Sequence, residues 1–251
     1  MTSMTILRQH VLHEGARIPM FIARPTKSPR VTVVMLGAIW SVTEHIEDLC
    51  VKLAGEGFGA VAPCLFRGEG IPARDASPEV LRQTFLDFDD RRCVRDLRAV
   101  VRAVGLGRIG GEMGGEFGAL VPWGFCLGGR FAHLLGALGE HVAGVVNCYG
   151  RLRFARQPNK PFLPIELAGL IEVPYLGHFA EFDELIPLAD VAELRAALTE
   201  RSVPHDVHVY EGAKHGFFDI TRPADHDARA SALAWSRTLE FLHRLAGHAG
   251  K

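Results

Sequence analysis

Cys126 lies in a short motif in which glycines stand two residues before and two residues after a potential nucleophile. The motif, Gly124-Phe125-Cys126-Leu127-Gly128-Gly129, follows an apolar run at 119–122 and precedes an apolar helical pattern at 131–138. This arrangement is typical of a nucleophile elbow, with Cys where Ser is commoner. Such a strained turn admits only residues without a β-carbon close beside the nucleophile. The alternative is a buried structural cysteine followed by a glycine-rich turn.

In an elbow, the Cys126 thiol would be activated by its surroundings. The helix that follows would place its N-terminus beside the sulfur, and the aligned peptide dipoles would favour the thiolate. The backbone amide of Leu127 would point at the oxyanion of an attacked carbonyl group. The remaining thiols are predicted to pack in the core or between helices, and they belong to Cys50, Cys64, Cys93 and Cys148.

Two later residues have the chemistry to assist such a nucleophile. His215 lies in a glycine-flanked loop after the last predicted strand, and Asp183 follows the strand before it. Ligands of open α/β sheets bind at the carboxyl ends of the strands, so we expect these side chains to meet Cys126 there. The histidine would take the thiol proton, and the aspartate would fix the imidazole tautomer. Glu181 and Glu184 are alternatives to Asp183, whose other possible role is helix capping.

Strands and helices alternate along the chain, as the positioning of these residues requires. Strands are predicted at 5–12, 18–23, 31–36, 59–65, 119–125, 141–149, 173–179 and 206–210, and helices at 44–54, 78–104 with a break near 87–92, 131–138, 187–199 and 229–245. Pro122 is placed near the start of its strand because proline cannot donate to a ladder. The predicted class is α/β, with a mostly parallel central sheet flanked by helices.

The chain is predicted to form one domain over 1–251, in which 1–30 form an edge hairpin and a loop. Residues 105–118 are glycine-rich and are predicted to be a flexible connection. Within them, 110–118 lack both the GxGxxG pattern and the preceding strand of a nucleotide-binding loop. Residues 151–172 are irregular and contain several prolines, and a loop of that length is often a lid.

Composition argues against several classes of function. The formal net charge of -1 over 251 residues gives no sign of a nucleic-acid-binding surface. The five cysteines form no CxxC pair, and the histidines show no metal-ligand spacing, so we expect neither a disulfide framework nor a metal or other cofactor. No apolar run has the length of a membrane span, and no secretory signal is evident. We expect a cytoplasmic protein, either a monomer or a small homo-oligomer.

Over residues 31–242 the chain resembles the dienelactone hydrolase (carboxymethylenebutenolidase-like) family of α/β-hydrolases. Residues 124–129 resemble the nucleophile motif of that family. Residues 183–187 resemble its acid segment, 210–217 its histidine segment and 234–239 its closing helix. The resemblance implies a hydrolase of small esters or lactones, of the kind that acts in aromatic compound degradation. It also implies an acyl-enzyme mechanism with a triad of Cys126, Asp183 and His215, and oxyanion-hole amides from Leu127 and Ile39.

Two positions depart from the type members of that family. The resemblance implies a Glu directly before Ile39 that helps to control the charge of the thiol, and this chain has Ala38. It also implies Arg residues that hold a substrate carboxylate, one of them four residues after the catalytic His. This chain has Asp219 at that position, and a carboxylate there would repel an anionic substrate.

The departures leave the substrate open. Positive charge near the site could still come from Arg67, Arg74 or Arg82. Weaker candidates for substrate contact are Trp40, Arg82, Phe217 and Asp219. Two other functions fit the sequence as well: a carboxylesterase for uncharged esters, and a non-catalytic protein that binds a ligand or partner on a hydrolase fold.

Overall fold

A computed structural model describes residues 3–109, 112–113 and 116–248. The strands are β1 (Met4–His13), β2 (Ala16–Pro25), β3 (Val31–Leu36), β4 (Gly59–Pro63), β5 (Arg108–Ile109), β6 (Glu112–Met113), β7 (Ala119–Phe125), β8 (Val145–Cys148), β9 (Tyr175–Phe182) and β10 (His205–Lys214). The helices are α1 (Glu44–Gly55), α2 (Pro78–Asp87), α3 (Asp90–Gly105), α4 (Leu127–Ala137), α5 (Pro164–Leu167), α6 (Leu188–Glu200) and α7 (Ala228–His248), and a 3-10 turn, Ala168–Leu170, follows α5.

Eight of the strands form one sheet in the order β1-β2-β4-β3-β7-β8-β9-β10. Strands β1 and β2 form an antiparallel hairpin at the edge, and β2 is also antiparallel to β4. The strands from β4 across to β10 are parallel to one another. The mostly parallel sheet and the edge hairpin predicted from the sequence are confirmed.

Helices cover the middle of the sheet. Helix α4 packs on β3, β7 and β8, α1 packs on β2 and β4, and α7 contacts β3 and β9. Every residue of β3 and β4 is buried, as expected for parallel strands covered on both faces. No helix within the described ranges is both long and apolar enough to cross a bilayer.

Three stretches differ from the predicted elements. Pro122 lies in the middle of β7, one residue before its pairing with β8 begins, so the missing amide falls at the end of that ladder. Within 105–118, β5 and β6 pair as antiparallel strands, although the glycines of this stretch suggest a loop; residues 110–111 and 114–115 lie outside the described part of the chain. Residues 151–172 contain α5 and the 3-10 turn as well as loop.

Helix α2 lies against the protein without a buried residue of its own. Ser77 caps its start, accepting a hydrogen bond from the N–H of Val80 at 3.3 Å. At its other end, the Lys160 ammonium group donates to the carbonyl oxygen of Leu86 at 3.1 Å and to that of Phe88. The helix is therefore anchored at its C-terminal end, and within it the Phe85 ring packs edge-on against Phe154, with ring centroids 5.7 Å apart.

A buried group of charges supports the anchor at the end of α2. The Asp90 carboxylate accepts two hydrogen bonds from the Arg130 guanidinium, at 2.9 and 2.8 Å, and lies 3.9 Å from the Lys160 ammonium group. All three side chains are almost completely buried. Removing one partner from such a group leaves an uncompensated buried charge, so the cluster fixes the start of α3 against α4 and the loop that follows β8.

Candidate active site

Cys126 occupies the turn between β7 and α4, and its backbone has a φ of 52°. This conformation is strained for a residue with a β-carbon, and such strain often occurs at functional sites. The flanking glycines are required by close contacts: a β-carbon on Gly124 would overlap the carbonyl group of Gly128, and one on Gly128 would overlap the carbonyl group of Leu36. The Gly-x-Cys-x-Gly motif thus forms the sharp strand-to-helix turn that its spacing predicts.

The structure brings Cys126, His215 and Asp183 together at the carboxyl ends of β7, β10 and β9. Nδ1 of His215 lies 2.8 Å from Oδ2 of Asp183. The other carboxylate oxygen of Asp183 accepts the N–H of Leu185 at 2.9 Å. Glu181 has a different partner, the N–H of Gly212, so of these two carboxylates it is Asp183 that contacts the imidazole.

The opposite nitrogen of the His215 ring, Nε2, is buried and has no regular hydrogen bond to any described residue. It approaches Cys126 closely enough for each group to shift the pKa of the other. The contact is thus looser than a formed hydrogen bond, as is common in sites without a bound substrate.

Electrostatics favours charge on both groups. Burial raises the pKa of the Cys126 thiol, but the positive charge of His215, its close approach and the N–H of Leu127 outweigh burial, so this pKa is lowered. Burial lowers the pKa of His215, but the charge of Cys126 and the contact with Asp183 outweigh it and raise the pKa to about 10. By contrast, burial raises the pKa of the thiols of Cys50 and Cys148. The shifts at Cys126 and His215 both favour a thiolate–imidazolium pair over the neutral pair.

A cavity of about 960 Å³ contains Cys126, Asp183 and His215 on its wall. Its volume lies in the range of small-molecule sites. Helix α2 contributes Pro78, Leu81, Arg82 and Phe85 to the opposite part of the wall. Of residues 151–172, only Arg151 lines the cavity.

The loop after β3 lines the cavity next to the elbow. Ala38, Ile39 and Trp40 belong to this wall, as does Leu127 at the start of α4. A backbone hydrogen bond of 3.0 Å from the N–H of Gly128 to the carbonyl oxygen of Gly37 ties the loop to the elbow. The loop and the N-terminus of α4 are therefore close enough to act on one bound group.

Asp219 lines the cavity, but its charge is compensated. One carboxylate oxygen lies 3.1 Å from the Arg74 guanidinium, and the other accepts hydrogen bonds from the N–H and hydroxyl of Thr221, at 3.0 and 2.6 Å. Burial raises the pKa of Asp219, but these hydrogen bonds outweigh it and lower the pKa. The guanidinium carbon of Arg74 also lies 4.5 Å from the ring centroid of Trp40, so this pair closes one side of the cavity.

The other sequence-derived contacts divide into two groups. Arg82 lines the cavity, with its guanidinium paired to Glu79 at 2.8 Å. Phe217 does not line it: the side chain is fully buried, with its ring centroid 5.2 Å from that of Tyr149 and 5.1 Å from that of Tyr210. The placement of Phe217 as a substrate contact is thus corrected, because the ring beside His215 faces the core. Arg67 pairs with Asp96 outside the cavity.

Three cavity residues have no motif that marks them in the sequence. Tyr149 has a φ of 40°, and its ring centroid lies 5.2 Å from that of His215. His45 enters from the first turn of α1. Arg151 is the third residue after β8, and its place just beyond a parallel strand is the one signal that points to it.

Carboxylates are placed unevenly around the thiol. The cavity wall contains Asp183, Glu184, Asp219 and Asp225, of which Asp183 is bound to His215. Ala38 has no carboxylate, and Glu44 is exposed outside the cavity. No group of His, Cys, Asp and Glu side chains among the described residues has the arrangement of a metal site.

Comparisons with known proteins identify the family to which this chain is similar. The model of the dienelactone hydrolase family matches residues 18–246. The chain is 32% identical over 237 residues to the "Putative carboxymethylenebutenolidase" of Escherichia coli K12, covering 93% of this chain and 85% of that protein. It is 32% identical over 222 residues to the carboxymethylenebutenolidase of Rhodococcus opacus, covering 85% and 81%.

A solved structure shows the same likeness in three dimensions. The crystal structure of a "Putative Dienelactone Hydrolase" from Klebsiella pneumoniae aligns with a TM-score of 0.83 at 29% identity, covering 95% of this chain and 98% of that one. Because the family model spans most of the chain and the fold is that of an α/β-hydrolase, this chain belongs to the dienelactone hydrolase family and is a hydrolase that acts on ester or lactone bonds.

Proposed function

We propose that the protein hydrolyses small esters or lactones through an acyl-enzyme on Cys126, with His215 and Asp183 as its partners. The observation that carries the proposal is the 2.8 Å contact between Nδ1 of His215 and Asp183, which leaves Nε2 turned to the thiol at the cavity wall. The cavity volume suits a small substrate, and relatives at 32% identity are named carboxymethylenebutenolidases.

Each step of the proposed reaction uses these three side chains. The Cys126 thiolate attacks the carbonyl carbon, and the imidazolium of His215 donates its Nε2 proton to the departing oxygen, so that a thioester forms. Nε2 then accepts a proton from water, whose oxygen attacks the thioester and releases the acid and the thiolate. Asp183 holds Nδ1–H throughout, which fixes the ring orientation and stabilises the imidazolium.

The backbone amides of Leu127 and Ile39 form the oxyanion hole in this proposal. Both residues line the cavity beside Cys126, and the contact between Gly128 and Gly37 holds their two segments together. Donors fixed before the reaction begins stabilise the developing negative charge without reorganisation.

The test is hydrolysis of p-nitrophenyl acetate by the wild type, Cys126→Ala and Cys50→Ala. We expect Cys126→Ala to lose at least about 10³-fold in kcat. The matched control, Cys50→Ala, removes a buried thiol of α1 outside the cavity and should retain activity. Activity that survives in Cys126→Ala would assign the nucleophile elsewhere. A wild type inactive on esters and lactones alike would favour a binding protein on this fold.

A further inference from the structure

His45 is a residue of the cavity wall whose hydrogen-bonding groups are unused. It lies in the first turn of α1, is only 7% exposed, and has its ring centroid 6.4 Å from that of Phe218. Neither ring nitrogen has a hydrogen-bond partner among the residues that the structure describes, and neither is one of the unpartnered atoms that those residues enclose completely. The ring therefore presents open polar atoms to the cavity, where a bound group can complete them.

The polar groups near His45, by contrast, already have partners. The charges of Asp219 and Arg74 both act on the His45 ring, and these two side chains are paired with each other at 3.1 Å. Asp219 also accepts hydrogen bonds from Thr221, and the indole N–H of Trp40, which lies under Arg74, donates to a backbone carbonyl oxygen at 3.0 Å. Because Arg74 and Asp219 balance each other, this part of the cavity is polar without an excess of either charge from that pair.

The protonation state of His45 decides which group suits it. Burial lowers the pKa of His45, and the opposing charge of Asp219 does not outweigh burial, so the imidazole is neutral at neutral pH. A neutral imidazole has one N–H donor and one acceptor nitrogen, and a hydroxyl group can pair with either of them. A substrate carboxylate here would meet the negative charge of Asp219, and an ammonium group would meet the positive charge of Arg74. The surroundings therefore favour an uncharged hydroxyl group.

We propose that His45 is a specificity-determining residue that forms a hydrogen bond with an uncharged hydroxyl group of the substrate, in the part of the cavity next to Asp219. The proposal rests on the proposed function and adds the substrate class, which is small esters or lactones that carry a hydroxyl substituent. A site with a buried group that needs a hydrogen bond rejects the analogue without the hydroxyl group, because that analogue leaves the buried group unpaired.

The first test measures binding and needs no turnover. The para and meta isomers of hydroxyphenylpropanamide are compared with phenylpropanamide, which lacks the hydroxyl group. Each amide should slow the alkylation of Cys126 by iodoacetamide when it occupies the cavity, so mass spectrometry of the labelled protein gives a dissociation constant for each. We expect the wild type to bind at least one hydroxylated isomer about fivefold more tightly than phenylpropanamide, the effect of one hydrogen bond between neutral groups.

Substitutions of His45 show whether this residue provides the preference. We expect His45→Leu to abolish it and to keep the dissociation constant of phenylpropanamide within about twofold, which also shows that the cavity is intact. His45→Gln should retain part of the preference, because an amide side chain has both a donor and an acceptor. The matched control is His141→Leu, at an exposed position outside the cavity wall, which should leave the preference unchanged. A preference that persists in His45→Leu, or that the wild type lacks for both isomers, would overturn the proposal.

The second test compares the p-nitrophenyl esters of hydroxyphenylpropanoic acid, with the hydroxyl group para or meta, and of phenylpropanoic acid, after subtraction of spontaneous hydrolysis. We expect His45→Leu to lower kcat/KM by about fivefold for the hydroxylated ester that the wild type prefers, mainly through KM, and to leave the phenylpropanoate ester within about twofold. Equal losses for both esters would mean that His45 only packs α1 against the cavity, and would overturn the proposal.

The two tests separate the inference from the function on which it rests. A preference for the hydroxylated amide that depends on His45, in a protein that turns over no ester, would support the hydroxyl subsite and contradict the hydrolase mechanism. Cys126-dependent turnover, with no hydroxyl preference or with one that His45→Leu retains, would support the mechanism and overturn the role of His45.

Discussion

The charge of Cys126 depends on residues from three separate strand ends. His215 and the N–H of Leu127 favour the thiolate, whereas burial and the charge of Asp183 oppose it. The position before Ile39, where the type members of the family have a Glu, is Ala38 and adds no charge. The thiolate should therefore persist without substrate, and with it comes greater sensitivity to oxidants, since oxidation follows thiolate character and access.

We predict that Cys126 reacts with iodoacetamide at a rate that has already levelled off well below the ordinary thiol pKa of about 8.5. The Ala38→Glu substitution should raise the apparent pKa and slow the reaction at neutral pH, because a nearby carboxylate disfavours a second negative charge. The measurement is the pH dependence of labelling in both proteins. A wild-type rate that climbs only above about pH 8, unaltered by the Glu, would show a thiol that rests protonated.

The partners of Cys126 should differ in their importance. We expect His215→Ala to reduce kcat/KM about as severely as loss of the nucleophile, because His215 is the base that contacts the thiol in this mechanism. Asp183→Asn should retain more activity, since the orienting residue can be the least costly member of a triad to remove. The control is Glu181→Gln, which alters a carboxylate near the end of β9 that accepts the N–H of Gly212. A larger loss in Glu181→Gln than in Asp183→Asn would reverse the assignment of the acid.

At the scale of elements, the elbow joins β7, α4 and the end of β3. Gly128 lies against the carbonyl group of Leu36, so its missing β-carbon lets α4 begin directly over β3. This contact and the hydrogen bond between Gly128 and Gly37 place Leu127 beside Ile39. The site therefore depends on backbone contacts between elements as well as on the three polar side chains.

We predict that Gly128→Ala destabilises the protein by at least about 1–3 kcal/mol, because the new β-carbon overlaps a backbone carbonyl group that can yield only if β3 or α4 moves. Thermal and urea unfolding measure the loss. Gly55→Ala is the matched control: no atom lies within 4 Å of its new β-carbon, and the site is the last residue of α1. Equal stability of the two variants would mean that the elbow relaxes more easily than its contacts indicate.

Short-range sequence patterns were enough to predict the order of strands and helices and the residues that meet at the strand ends. Glycine spacing marked Cys126, and the loops after β9 and β10 marked Asp183 and His215. Features set by distant contacts had no such signal. The Phe217 ring packs against Tyr149 in the core. The negative charge of Asp219 is compensated by Arg74, which lies 145 positions earlier in the chain.

Across the whole molecule, buried histidines connect stability to pH. His133 on α4 is fully buried, with Nδ1 3.1 Å from the Tyr175 hydroxyl and Nε2 2.8 Å from the carbonyl oxygen of Pro164. Burial lowers its pKa to about 4, although the hydrogen bond to Pro164 acts in the opposite direction. Burial also lowers the pKa of His178, which lies between β10 and α7.

We predict that the free energy of unfolding falls as pH drops from about 6.5, the unfolded pKa of histidine, towards 4. Over this range His133 binds a proton in the unfolded chain but stays neutral in the folded protein. This difference lowers the free energy of unfolding by about 3 kcal/mol from this residue alone. Urea unfolding at several pH values measures the slope. His133→Gln should flatten it, and His141→Gln, at an exposed position, should leave it unchanged. An identical slope in His133→Gln would place the pH sensitivity elsewhere.

Helix α2 forms part of the cavity wall, although none of its own residues is fully buried. Substitutions at exposed positions usually change stability by no more than about 0.5 kcal/mol. Arg82, which is exposed on this wall, can therefore vary while the sheet, the elbow and the residues around His215 stay the same. In evolutionary terms, the protein separates the part that selects the substrate from the parts that keep it folded and reactive, and descendants of this chain can acquire new substrates through α2 without first gaining stability.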